Sequence, residues 1–178
     1  MSTTAPEPVR RAGPADAAAI AVVHVRSWQG AYRGMLPQEY LDGLDPADRT
    51  ERWRLSLERN NWPAAGTIVA VSHGQVAGFA YVGPARDTDA GGSRVGEINA
   101  IYVLPGAWGT GLGRGLMTAA LRELAGGGYE TALLWVLESN ARARRFYALA
   151  GWTADGSAKQ EDIAGTPVTE VRYRRPLP

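Results

Sequence analysis

The residues from Glu97 to Met117, EINAIYVLPGAWGTGLGRGLM, constrain this chain more than any other stretch. An apolar strand over Ile98 to Leu104 is stopped by Pro105. Gly106, Gly109, Gly111, Gly113 and Gly115 follow, and apolar positions then recur at helical spacing. Strand, glycine-rich turn and helix in that order suit an anion. Glycine lets the backbone approach a phosphate closely and adopt positive φ, and the first amides of the helix are unpaired donors at the positive end of its dipole. The guest this stretch calls for is a phosphate-bearing cofactor.

Spacing separates the known phosphate-binding loops. A P-loop needs G-x-x-x-x-G-K-S/T; Gly106 and Gly111 have that separation, but Leu112 and Gly113 stand where Lys and Ser or Thr belong. The dinucleotide fingerprint G-x-G-x-x-G fails too, because Arg114 takes its last position when read from Gly109, and Leu116 when read from Gly111. What remains is G-x-G-x-G over residues 109–113, directly after a strand ending in Val103, Leu104 and Pro105. This resembles the pyrophosphate loop, Q/R-x-x-G-x-G/A, of the GCN5-related N-acetyltransferases, which bind acetyl-coenzyme A. Trp108 departs from the pattern at its first position, which leaves the backbone amides of Gly109 to Arg114 to supply the contact. A second match lies downstream, where Asn140, Ala143, Phe146, Tyr147, Gly151 and Trp152 fit the same family's N-x-x-A-x-x-F-Y-x-x-x-G-F/W. Asn140 is also placed to cap the helix it precedes, and an amphipathic helix buries aromatics at the spacing of Tyr147, so each residue alone has an ordinary structural explanation.

The resemblance implies a cofactor site made of Ile101, Tyr102, Val103, Trp108, Gly109, Thr110, Gly111, Leu112, Gly113, Arg114, Asn140 and Tyr147. It further implies a splay between the strands ending at Val103 and Leu137, with backbone groups of Ile101 to Val103 pairing with the pantetheine amides. Glu97 matches the family's general base, acting directly or through water on an amine whose pKa of about 10 keeps it protonated at neutral pH. Unbroken strand alternation would put Glu97, Asn99, Ile101 and Val103 on one face. The rival reading makes Glu97 a strand-end charge paired with Arg94 or with solvent. Tyr147 matches the tyrosine that protonates the departing thiolate, and the Val103 amide is placed to polarise the thioester carbonyl. Trp28 and Tyr32, one helical turn apart, and Asn99 are nominated as acceptor contacts; packing is the alternative for the aromatic pair.

In chain order, strands are expected at Val9–Ala12, 66–72, 75–82, 98–104, 131–137, 152–158 and 166–174. His73-Gly74 forms a hairpin turn, and helices begin near Ala17, Gln38, Pro46, after Gly111 and after Asn140. Hairpin strands followed by strands alternating with helices predict a mixed α/β fold. The resemblance specifies it as a mostly antiparallel central sheet of about seven strands flanked by helices, the acyl-CoA N-acyltransferase fold. Residues 83–94, polar and glycine-rich, are expected to be a mobile loop. At 178 residues one domain over the whole chain is the default, with residues 1–8 a loose tail.

With 19 basic against 18 acidic residues there is no field to attract nucleic acid, and without cysteine there is no thiolate metal site or thiol nucleophile. The two histidines lack metal-ligand spacing, so no metal is expected. The N-terminus lacks a signal-peptide core and no apolar run approaches a membrane span, which fits a cytoplasmic protein. A homodimer is compatible with the resemblance. The expected activity is acetyl transfer from acetyl-coenzyme A to the primary amine of a small molecule by direct attack. A protein or peptide acceptor and a non-catalytic acyl-coenzyme A binding module are the alternatives.

Overall fold

A computed structural model describes residues 9–178; the tail expected over residues 1–8 lies outside the described residues. Seven strands, β1 (Val9–Arg11), β2 (Gly66–Ser72), β3 (Gln75–Pro84), β4 (Val95–Val103), β5 (Thr131–Leu137), β6 (Thr153–Ile163) and β7 (Thr166–Pro176), form one sheet in the order β1-β2-β3-β4-β5-β7-β6. Neighbours are antiparallel except β4 and β5. That exception follows from the connection: helix α4 (Leu112–Gly126) carries the chain from β4 back to the start of β5, and a crossover of this kind makes a parallel pair. The β2–β3 hairpin turns on His73 and Gly74 with φ of 49° and 77°, the two-residue turn whose twist matches that of the flanking strands.

Helices α1 (Ala17–Ala31), α2 (Gln38–Asp42) and α3 (Pro46–Glu58) precede β2, and α5 (Ala141–Leu149) follows β5. Asp45 caps α3 by accepting from the Ala47 amide at 2.9 Å, and Asn140 caps α5 by accepting from the Ala143 amide at 3.1 Å. Helices α4 and α5 cover one face of the sheet, with Leu116, Leu124 and Tyr147 packed on Ile68, Ala80, Ile98 and Leu134. Helices α1 and α3 cover the other, with Ile20, Val23 and Leu57 on Val69 and Phe79. This is the mixed, mostly antiparallel sheet of seven strands flanked by helices that the sequence led us to expect.

Three features bear on function, the first of them the opening that the resemblance implied. First, β4 and β5 pair only at Val95↔Thr131, Gly96↔Ala132 and Glu97↔Leu133. Beyond that, β4 continues with β3 as far as Val103 and β5 with β7 as far as Leu137, so the sheet opens between them. Second, Tyr81 pairs with Ala100 while Val82 pairs with Ile98, which leaves Asn99 as the extra residue of a β-bulge. The bulge inverts the alternation. Ile98 joins the α4 face on one side of it and Ile101 and Val103 on the other, while Ala100 and Tyr102 pack on the α1 face. Glu97 therefore shares the α1 face with Tyr102, and the expectation that it shares a face with Ile101 and Val103 is corrected. Third, residues 83–94 are tied down. Asp87 accepts from the Trp135 indole at 2.9 Å and from Arg172 at 3.1 Å, Asp89 accepts from Arg172 at 2.9 Å, and Ala90 is buried. The mobile loop expected there is thus an anchored one.

Arg172, itself buried, also reaches Asp155 at 2.7 Å and Ser157 at 2.8 Å, so a single guanidinium joins the loop to β6 and β7. Arg172→Met should cost about 3 kcal/mol in chemical denaturation, because it strands Asp87 without its counter-charge and leaves Asp155 with Arg174 alone. It should also raise amide exchange in residues 85–92 above that of β2 and β3. Unchanged exchange in the loop would show that Arg172 does not anchor it.

Candidate functional site

The gap between β4 and β5 is a cleft of about 480 Å³ that passes from the α4–α5 face of the sheet toward α1. Of the residues nominated from sequence, Tyr32, Glu97, Asn99, Ile101, Tyr102 and Val103 line it, as do Trp108, Gly109, Gly111, Gly113, Arg114, Asn140 and Tyr147. Three do not. Trp28 stands behind Tyr32 with ring centroids 5.0 Å apart; the Thr110 hydroxyl donates to the Ala107 carbonyl at 2.7 Å and holds the turn; Leu112 is buried in the core beneath the loop.

One end of the cleft is a row of donors. Gly109 and Gly111 have φ of 77° and 91°, a conformation that suits glycine, and Gly111 caps α4 without any side chain covering the helix end. Among the described residues no carbonyl accepts from the amides of Gly109 to Arg114; the first such bond at this end runs from Gly115 to the Gly111 carbonyl at 3.0 Å. The wall formed by β4 is also unsatisfied. The bond from the Leu104 amide to the Ala77 carbonyl at 2.8 Å fixes the parity of the antiparallel ladder. Ile101 and Val103 therefore turn their N–H and C=O away from β3 and toward the gap where β5 no longer pairs. Buried backbone groups left this way carry a penalty unless a ligand satisfies them. The unpaired groups fit a molecule with amides along its length and a diphosphate at one end. The Trp108 indole already donates to the Val103 carbonyl at 2.8 Å, occupying one of its lone pairs.

The other end is carboxylate and phenol. Glu97 is 1% exposed, and Arg86 takes both its oxygens: the Arg86 amide and Nε donate to Oε2 at 3.0 and 3.3 Å, and Nη2 donates to Oε1 at 2.7 Å. The alternative partner weighed from sequence, Arg94, instead pairs with Glu130. The Tyr32 and Tyr102 hydroxyls lie 3.3 Å apart. Burial pushes the hydroxyls of Tyr32, Tyr102 and Tyr147 above the usual phenol value, so all of them stay protonated. Behind them His24 lies parallel to Tyr102 at 5.8 Å and accepts at Nδ1 from the Trp53 indole at 3.2 Å. Lys159 and Glu170, 3.2 Å apart, also line the cleft. Arg86, Arg142, Lys159 and Glu170 escaped the sequence reading, since none belongs to a motif and each reaches the cleft through tertiary contacts.

Among the described residues no group of acidic residues and histidines could hold a metal ion, and no helix is long and apolar enough to cross a membrane. A family model described as the acetyltransferase (GNAT) family matches residues 28–152. The uncharacterized N-acetyltransferase YuaI of Bacillus subtilis is 34% identical over 165 residues, which are 92% of this chain and 89% of that one. A mycothiol acetyltransferase of Stackebrandtia nassauensis is 39% identical over 122 residues; the match spans 65% of this chain but only 39% of the relative. Among solved structures, the PaiA N-acetyltransferase of Thermoplasma acidophilum in complex with coenzyme A superposes with a TM-score of 0.75 over 99% of both chains at 18% identity, a likeness of fold.

His24 gives the site a pH signature. Burial, and then the charges of Arg49 and Arg52, lower its pKa to about 4. Folding therefore favours the neutral imidazole over a free value near 6.5, so this contribution is fully present above pH ~6.5 and is lost as pH falls toward 4. The loss amounts to about 3 kcal/mol at most. His24→Asn, which keeps an acceptor for Trp53, should flatten the fall in melting temperature across that window; an unchanged slope would assign the dependence to another group.

Proposed function

The chain belongs to the acetyltransferase (GNAT) family, and on that premise we propose that it moves the acetyl group of acetyl-coenzyme A directly onto a primary amine of a small molecule. The observation that carries this reading is the parting of β4 and β5 after Glu97. It leaves one continuous cleft with unpaired main-chain donors at one end and a buried carboxylate among phenols at the other. The amides of Gly109 to Arg114 would hold the diphosphate, and the N–H and C=O groups that Ile101 and Val103 turn into the gap the pantetheine arm, the Val103 carbonyl being shared with the Trp108 indole. Acetyl-coenzyme A supplies the acetyl group as a thioester, an acyl donor reactive toward a neutral amine.

The chain's own residues manage the protons. An alkylammonium with pKa of about 10 must lose one before its nitrogen can attack, and Glu97, on the α1 face, accepts it directly or through a water. Tyr147, protonated because it is buried, donates to the sulfur as the carbon–sulfur bond breaks; the nitrogen, once bonded to carbon, sheds its second proton through water, and that proton restores the phenol. No residue is acylated on the way. Tyr32, Tyr102 and Asn99 would contact the acceptor, with Trp28 as the wall behind Tyr32. The packed aromatic surroundings of that end, together with relatives named mycothiol acetyltransferase, support a small molecule over a protein chain as acceptor. All of these parts come from residues 28–170, in keeping with a chain that works as one domain.

Arg86 supports a second role for Glu97. A carboxylate that accepts all three of these donors also fastens the loop carrying Arg86. Thiol release from acetyl-coenzyme A over a panel of amines separates the two. If Glu97 is the base, Glu97→Gln should lower kcat by about 10²–10³-fold while Arg86→Gln keeps kcat and raises acceptor KM. If Glu97 is chiefly an anchor, both variants should lose kcat alike. Tyr147→Phe should lower kcat by about 10–10²-fold with little change in the KM for acetyl-coenzyme A. Full activity in both Glu97→Gln and Tyr147→Phe would overturn both assignments.

A further inference from the structure

The residue that departs from the loop pattern, Trp108, is held from several sides. Its indole N–H donates to the Val103 carbonyl at 2.8 Å, and its ring edge packs against α1, where a Cβ added at Gly30 would lie 3.4 Å from it. Over the ring sits the guanidinium of Arg142, from the first turn of α5, with its carbon 3.4 Å from the ring centroid. A guanidinium that stacks through its face keeps its N–H donors free in its own plane, where they match a planar pair of oxygens.

Arg142 has no counter-charge. Among the described residues no carboxylate lies within ion-pair distance of it, whereas its helix neighbour Arg144 is occupied by the Tyr173 hydroxyl at 3.1 Å and the Glu138 carbonyl at 3.0 Å. Partial burial lowers its pKa, as expected for a cation set against a wall with nothing to balance it. It lines the same cleft as Gly109, Gly111, Gly113 and Arg114.

We infer that Arg142, seated on Trp108, supplies to the diphosphate of acetyl-coenzyme A the side-chain grip that position 108 lacks. This assignment rests on acetyl-coenzyme A being the donor. Trp108 is then a platform and not a ligand: it is large and flat enough to fix a guanidinium that reaches across from the α5 side of the opening. The anion is held from both walls of the split, by main-chain donors following β4 and by a cation following β5. A glutamine or arginine at position 108 would instead place the polar group on the loop's own side.

Calorimetry with coenzyme A, and with pantetheine as a ligand that lacks the diphosphate, tests this on the full chain. Arg142→Gln, which removes the charge and shortens the side chain, should weaken coenzyme A by about tenfold to a hundredfold and leave pantetheine unchanged. Arg142→Lys should recover part of the loss, because a point charge replaces a fork. The dependence of coenzyme A affinity on salt should be shallower in Arg142→Gln than in wild type. Trp108→Ala should lose about as much as Arg142→Gln, and the double variant no more than either alone. Thermal melts of the free proteins check that each variant folds. Equal weakening of both ligands would assign Arg142 to packing and overturn the inference, as would wild-type affinity in Arg142→Gln. Failure of the wild-type chain to bind coenzyme A at all would remove the donor assignment first, and this one with it.

Discussion

A parallel strand pair that separates after Glu97 and Leu133 sets the terms for the rest of the molecule. A strand that leaves its neighbour exposes a row of N–H and C=O groups, and each such group costs about 1–3 kcal/mol if it ends up buried and dry. The sheet tolerates this because neither strand is left alone: β4 keeps β3 along its whole length and β5 keeps β7. Helix α4 packs on β3 and β4, and Leu134 of β5 and Tyr147 of α5 join the same cluster of buried side chains, so the apolar core stays continuous beneath a gap in the hydrogen bonding. The unpaired edge and the amides at the start of α4 belong to the same turn of chain, and for that reason they line one cleft.

The α1 side of the cleft is built differently, from charges brought in over long sequence distances. Arg172 on β7 holds Asp87 and Asp89 of the loop before β4, and Asp155 of β6. The same loop delivers Arg86 to Glu97. The terminal β6–β7 hairpin thereby fixes the surroundings of a carboxylate two strands away in the sheet order. Geometry at the glycine-rich turn is a local property of one strand–turn–helix segment, whereas geometry around Glu97 depends on the far end of the chain.

That contrast explains what could be read from sequence. The strands, the His73-Gly74 turn, the cap at Asn140 and the glycine-rich turn are local patterns, and each sits where its residues implied. The bulge at Asn99 was invisible, because an extra residue in a ladder leaves no trace in the composition of the strand, and alternation counted through it gave the wrong face for Glu97. The loop over 83–94 looked mobile for a related reason: its glycines and polar residues are those of a free loop, and only the folded chain shows Asp87 and Asp89 against Arg172. Arg86 and Arg142 were missed because a lone arginine carries no signal until a carboxylate or an indole is found beside it.

The bulge has one more consequence. By exchanging the two sides of β4 midway, it sets the carboxylate of Glu97 on the face opposite the side chains of Ile101 and Val103, whose backbone edge borders the gap. A carboxylate and an unpaired edge thus belong to one strand without sharing a face of the sheet.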